Sequence, residues 1–132
     1  MKKKELSPIE KGKIGEKYIA KYLKKNGYRI REKNMRNFVS EIDIIAETKE
    51  YIVFVEVKTR TLGQLYPPRA AVNAEKRRKI TGAAQAYLNY KRITKRPRCD
   101  IAEVYLNKDT CKVESINYIE GAIVKRRRYA TF

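Results

Sequence analysis

The chain has 132 residues, 42% of them hydrophobic, enough for one domain with one core and no staples. Its 32 Lys+Arg against 15 Asp+Glu leave a formal net charge of +17, which opposes compactness and points to a polyanionic partner, nucleic acid ahead of anionic membrane. Without histidine and with only two cysteines, His-based triads, dyads and zinc sites and a four-cysteine zinc site are excluded, leaving carboxylates, lysines, tyrosines or an oxygen-bound metal for any catalysis.

No apolar run is long enough to span a bilayer. The opening Met1-Lys2-Lys3-Lys4 lacks the apolar stretch that a signal peptide would place after it. Cys99 and Cys111 fall at opposite ends of a predicted hairpin, too far apart to pair, and a reducing cytoplasm is the expected compartment.

In chain order, Ser7-Pro8-Ile9-Glu10 sets a capping box with Pro at N1, and Ile14, Tyr18, Ile19, Tyr22 and Leu23 recur at helical spacing up to a Gly27 stop. This predicts a helix over 8–26. Tyr28 to Arg31 alternates as a short edge strand. Glu41 to Ala46 and Tyr51 to Lys58 are β-rich and joined by a short polar link, so they read as a hairpin. A second helix is predicted from Asn73, as N-cap, to Tyr90, with Ile80, Ala83, Ala84, Tyr87 and Leu88 as its apolar stripe. Strands over Cys99–Leu106 and Lys112–Ile119 follow, around an Asn107-Lys108-Asp109 turn. A helix between the third and fourth strands requires a right-handed crossover and a central parallel pair, hence an α/β class with a mixed sheet. The expected organisation is one domain over residues 1–119 and a basic C-terminal tail over 120–132.

The hairpin carries the functional argument. Ile42 to Ala46 and Ile52 to Lys58 are nearly continuous apolar runs, as in strands buried on both faces, yet Asp43, Glu56 and Lys58 interrupt them. Unpaired charge buried there costs several kcal/mol, roughly, so something must compensate. If Lys49-Glu50 is a two-residue turn, Asp43 faces Glu56 and Glu41 faces Lys58; a turn longer by one residue puts the carboxylates on opposite faces. Two facing carboxylates repel unless a cation lies between them, and an oxygen donor set of this kind, completed by water and phosphate, suits Mg²⁺ or Mn²⁺. Lys58, on the same face as Glu56, is placed to orient or deprotonate a water, or to neutralise charge on phosphate; the alternative is a plain ion pair with Glu41 or Glu56. Glu16 lies at the margin of the first helix's apolar stripe, either as an outer ligand or as a solvated helix residue.

These residues also carry a resemblance. Glu16, Asp43 and Glu56-Val57-Lys58 resemble the PD-(D/E)xK nuclease core, especially that of archaeal Holliday-junction resolvases. Gly15-Glu16, Asn34-x-Arg36, Glu41 to Ala46, Phe54 to Arg60, Lys76 and Ala84-x-Ala86-Tyr87-Leu88 are similar to the YraN-like family of small bacterial proteins, over residues 10–119. The resemblance implies a restriction-endonuclease-like αβββαβ core with a mixed central sheet flanked by helices. It implies Asp43 and Glu56 as metal ligands, Lys58 as the catalytic lysine and Glu16 as an accessory acid. Here Cys99 stands where the family Arg-Phe-Asp has Phe, and Ser40 where Gly precedes Glu-Ile-Asp.

Arg60, Arg69, Lys76 and Arg77, with the adjoining Arg78-Lys79 and the Lys125-to-Arg128 tail, are phosphate-contact candidates that position nucleic acid without reading its sequence. Ten tyrosines are available to stack on unpaired bases, although Tyr18, Tyr22 and Tyr87 fall on predicted core stripes. The expected function is a Mg²⁺- or Mn²⁺-dependent endonuclease on structured or branched DNA, with DNA ahead of RNA as partner. A resolvase role would favour a homodimer, because a four-way junction needs paired cuts. The alternative is a non-catalytic DNA- or RNA-binding module that keeps the nuclease fold.

Overall fold

A computed structural model describes residues 5–65 and 74–123. Helix α1 (Pro8–Lys25) begins at the expected capping box: Ser7 Oγ accepts the Glu10 N–H at 3.1 Å, and Glu10 accepts the Ser7 N–H at 3.0 Å. Strands β1 (Arg29–Arg36), β2 (Glu41–Glu47) and β3 (Tyr51–Thr61) follow, then α2 (Ala74–Lys91), β4 (Arg96–Leu106) and β5 (Val113–Ile123). The sheet has five strands in the order β1-β2-β3-β4-β5, antiparallel except for the central parallel β3–β4 pair. This is the mixed α/β, restriction-endonuclease-like αβββαβ core.

The helices lie on opposite faces of the sheet. Ile19 and Leu23 of α1 pack on Val53, Val55, Ala102 and Val104, while Ile80, Ala84 and Tyr87 of α2 pack with Ile52, Phe54 and Ile101. Strand β3 is therefore buried on both faces, which explains its unbroken apolar run. Burial of the Phe54 side chain alone contributes about 1.5–3 kcal/mol.

The strand ends and one core assignment depart from expectation. β1 runs five residues past Arg31, to Arg36, with a bulge between Ile30 and Glu32 that erases any simple alternation. β5 continues past Ile119 to Ile123, because the positive φ of Gly121 lets its N–H donate to the Asp100 carboxylate without ending the strand. Tyr18, expected in the core, is 43% exposed; Tyr22 is partly buried and Tyr87 fully so. Both cysteines are free, Cys99 in the core and Cys111 in the β4–β5 turn. Asn73, Arg69 and residues 124–132 lie outside the described residues. Among the described residues, no helix is long and apolar enough to cross a membrane.

Candidate active site

The hairpin turn sets the geometry of the site. Thr48 N donates to the Tyr51 carbonyl at 2.9 Å, and Thr48 Oγ1 accepts from Tyr51 N at 3.0 Å, which closes Lys49-Glu50 as a two-residue turn. The buried Glu47 beside it is held by Arg29, by Arg31 at 3.3 Å and by Lys95 at 3.0 Å. The register from this turn, Glu47↔Ile52 through Ile44↔Val55, places Asp43 opposite Glu56 when continued by one step. At that step the Asp43 carboxylate takes over from the backbone ladder: its Oδ2 accepts the Val57 N–H at 2.8 Å.

Burial, and next the neighbouring Glu56, push the Asp43 carboxyl up to about 7; the Val57 hydrogen bond opposes them, while Glu16 and Glu41 add to the rise. Glu16, half-buried on α1, is also raised, chiefly by burial and against a hydrogen bond from Asn34. That asparagine stands on β1 at φ 54°, a left-handed conformation Asn tolerates better than most residues, and the β1–β2 register sets it opposite Asp43. Glu16 approaches because its neighbour Gly15 lies directly against Thr59 of β3.

Lysines surround Glu56. Lys58 Nζ lies 3.8 Å and Lys76 Nζ 3.6 Å from Glu56 Oε1. Lys76, a phosphate-contact candidate by sequence, is brought to the carboxylates by α2. Glu41 has Arg36, its partner in the β1–β2 register, at 3.9 Å. Arg36, Glu41, Asp43, Glu56, Lys76 and Lys79 line a polar hollow of about 290 Å³. Arg60 sits two residues beyond Lys58 on β3, and Arg77 is partly exposed on α2 with its carbonyl accepting the Thr81 hydroxyl. Among the described residues, no three acidic, His or Cys side chains are grouped closely enough to hold a metal by themselves. The donor set still fits a hard cation: Asp43 and Glu56 supply oxygens alone, and a positive charge between them relieves the repulsion that raises Asp43.

The Arg98-Cys99-Asp100 segment lies elsewhere and has a structural role. Arg98 grips Asp100 in bidentate fashion at 2.9 Å and donates to Tyr28 Oη at 2.7 Å, while Tyr118 donates to Asp100 at 2.6 Å. Cys99 packs against the α2-side core, and burial pushes its thiol up to about 12.

Fold and site together define an α/β domain of restriction-endonuclease-like architecture with a carboxylate–lysine cluster at the sheet. Residues 15–104 match the uncharacterised protein family UPF0102, and the chain belongs to that family, the YraN-like one. It is 47% identical over 114 residues to the UPF0102 protein of Caldanaerobacter subterraneus subsp. tengcongensis, covering 84% of this chain and 92% of that one. It is 46% identical over 116 residues to the UPF0102 protein of Acetivibrio thermocellus, covering 84% and 88%. Among solved structures it is similar to Pyrococcus furiosus SfsA in complex with Ca²⁺, with a TM-score of 0.43 and 20% identity. That match covers 83% of this chain and 62% of the other, a likeness too distant to bear on function.

Proposed function

We propose that the protein is a divalent-metal-dependent phosphodiesterase, an endonuclease acting on structured or branched DNA. The observation that carries this reading is the facing pair Asp43 and Glu56, in which burial and mutual repulsion push Asp43 up to about 7. Two carboxylates so placed would hold Mg²⁺ or Mn²⁺. Bound there, the ion would supply Lewis-acid stabilisation of phosphate charge and a more acidic water. Lys58, 3.8 Å from Glu56, orients the attacking water or neutralises charge developing on phosphorus. Glu16, hydrogen-bonded by Asn34, is the outer acid. Lys76, Arg77 and Arg60 hold the phosphate backbone around this centre, in keeping with the net charge of +17.

The test is incubation of purified protein with junction, flap and single-stranded substrates plus Mg²⁺ or Mn²⁺. Cleavage that disappears in Asp43→Ala and Lys58→Ala supports the assignment, and cleavage that survives them assigns the activity to a contaminant. One observation favours the second reading, a non-catalytic DNA- or RNA-binding module: Lys58 and Lys76 both lie within 4 Å of Glu56 and already offset its charge. Calorimetric titration with Mn²⁺ separates the two, since binding abolished by Glu56→Ala contradicts the module.

A further inference from the structure

The two most exposed aromatic side chains among the described residues, Phe38 at 93% and Tyr90 at 83%, border the same hollow. Phe38 belongs to the β1–β2 turn and Tyr90 to the last turn of α2. Between them, with Met35 and Tyr87 also in the walls, lies a groove of about 420 Å³. That volume falls within the range of roughly 300–1,000 Å³ typical of small-ligand sites.

The groove is built rather than a chance gap. Asn37 Nδ2 donates to the Ala83 carbonyl of α2 at 3.0 Å, and Asn37 Oδ1 accepts from Val39 N at 3.0 Å and Ser40 N at 3.2 Å. The turn bearing Phe38 is thereby tied to the helix bearing Tyr90. Tyr87 is fixed too: its hydroxyl hydrogen-bonds Glu32 and accepts from Arg31 Nε at 3.2 Å. Glu32, the acidic residue on this wall, is thus engaged within the protein.

Cations stand at both ends. Arg36 borders this groove and the carboxylate hollow alike. Lys91, 5.6 Å over the Tyr90 ring, borders both the groove and a further hollow of about 310 Å³ that is flanked by Arg29 and Arg31. The sequence of features is carboxylates, Arg36, an aromatic slot, Lys91, and then more arginine. A single polynucleotide strand repeats the complementary pattern of anionic phosphate and flat base. In a paired duplex the bases are stacked inside and cannot enter the slot.

We propose that this groove takes one unpaired nucleobase, stacked between or against Phe38 and Tyr90, on the strand whose phosphate lies at the carboxylate hollow. The substrate class is then a strand with an unpaired nucleotide next to the reacting phosphate, as at a flap, a gap or a single-stranded stretch. In taking the carboxylate hollow as the reacting centre, the proposal rests on the reading above.

The experiment uses the full chain in the presence of a chelator, so that cleavage plays no part. An oligonucleotide carrying 2-aminopurine is titrated as a single strand and as a duplex, reading stacking by fluorescence quenching and affinity by anisotropy. The expected result is quenching and preferential binding of the single strand. Phe38→Ala and Tyr90→Ala each weaken that binding by about 5- to 150-fold and leave the duplex affinity in place. Both side chains are exposed, so the variants retain the fold, and Tyr18→Ala, outside the groove, serves as control. Absence of quenching, or equal losses on single strand and duplex, overturns the proposal. Stacking without any cleavage in metal keeps the groove and removes the nuclease; cleavage without stacking does the reverse.

Discussion

Gly15 of α1 rests on Thr59 of β3 so closely that a Cβ at position 15 would lie 2.0 Å from Thr59 Oγ1 and 3.2 Å from Thr59 Cβ. Among the described residues, that hydroxyl is a buried side-chain oxygen with no hydrogen-bond partner, so contact with the helix takes precedence over its satisfaction. The neighbour cannot easily give way, because Thr is branched at Cβ and fixed on a strand. Gly15→Ala would gain up to about 1 kcal/mol of helix propensity but must push α1 off the sheet, and overpacking of this kind costs about 1–3 kcal/mol. The expected outcome is a net loss of stability by urea denaturation. Because Glu16 moves with the helix, activity should fall further than stability does.

Asp43 makes stability depend on pH with a definite sign. Below its ordinary value of 3.8 the group is protonated in both folded and unfolded chains; between 3.8 and about 7 only the unfolded chain is ionised. The folded state then binds the extra proton, so this group's contribution to stability is full at low pH and is lost as pH rises through about 7. Asp43→Asn keeps an acceptor for the Val57 N–H and removes the charge. In chelator it should be more stable than the parent above neutrality, by an amount on the order of a few kcal/mol, with the difference vanishing toward acid. Thermal unfolding of both proteins across this range checks it. Added Mg²⁺ or Mn²⁺ should raise the parent's midpoint and leave that of the variant unmoved.

The hairpin was legible because its cues agree: continuous apolar strands, a short polar link and charges at fixed offsets. A two-residue turn then determines which residues face one another. The edge strand was half legible, since Glu32 to Arg36 offers a single apolar residue and the bulge at Arg31 breaks the period that sequence reading depends on. Lys76 and Arg36 could be seen as basic residues but not as neighbours of the carboxylates, because that proximity depends on how α2 and β1 dock onto the sheet. The phenylalanine slot was invisible for the same reason. Phe38 and Tyr90 are 52 positions apart, and no local pattern joins them.

Lys58 and Lys76 lie at similar distances from Glu56, 3.8 and 3.6 Å, yet the proposed function gives them different work. Lys58 is on the strand with the carboxylate, whereas Lys76 is more exposed and reaches in from α2. Lys58→Met should lower single-turnover cleavage by roughly 10²–10⁴-fold with little change in substrate affinity. Lys76→Met should weaken binding similarly across sequences, reduce the salt dependence of log K by about one, and change cleavage at saturation by less than tenfold. Cleavage assays at saturating protein, paired with binding across a salt series, separate the two roles. Identical effects would mean that both lysines simply neutralise Glu56.

Asp100 is fully buried and takes hydrogen bonds from Arg98, Tyr118 and the Gly121 N–H. Arg98 also lies over the Tyr51 ring at 5.0 Å, so the cluster ties β3, β4 and β5 together with Tyr28, just ahead of β1. Truncating one partner strands the other charge in a low-dielectric setting, at a cost of about 3–5 kcal/mol. Asp100→Ala and Arg98→Ala should therefore be severely destabilised by urea denaturation, and the double variant less so than the sum of the two. Tyr118→Phe removes one hydrogen bond to a charged acceptor and should cost about 1.5–3 kcal/mol. Because none of these side chains lines the carboxylate hollow, Tyr118→Phe should bind Mn²⁺ with the parent's affinity at temperatures where it is folded. Loss of metal binding in that variant would mean that the buried cluster positions the site as well as the sheet.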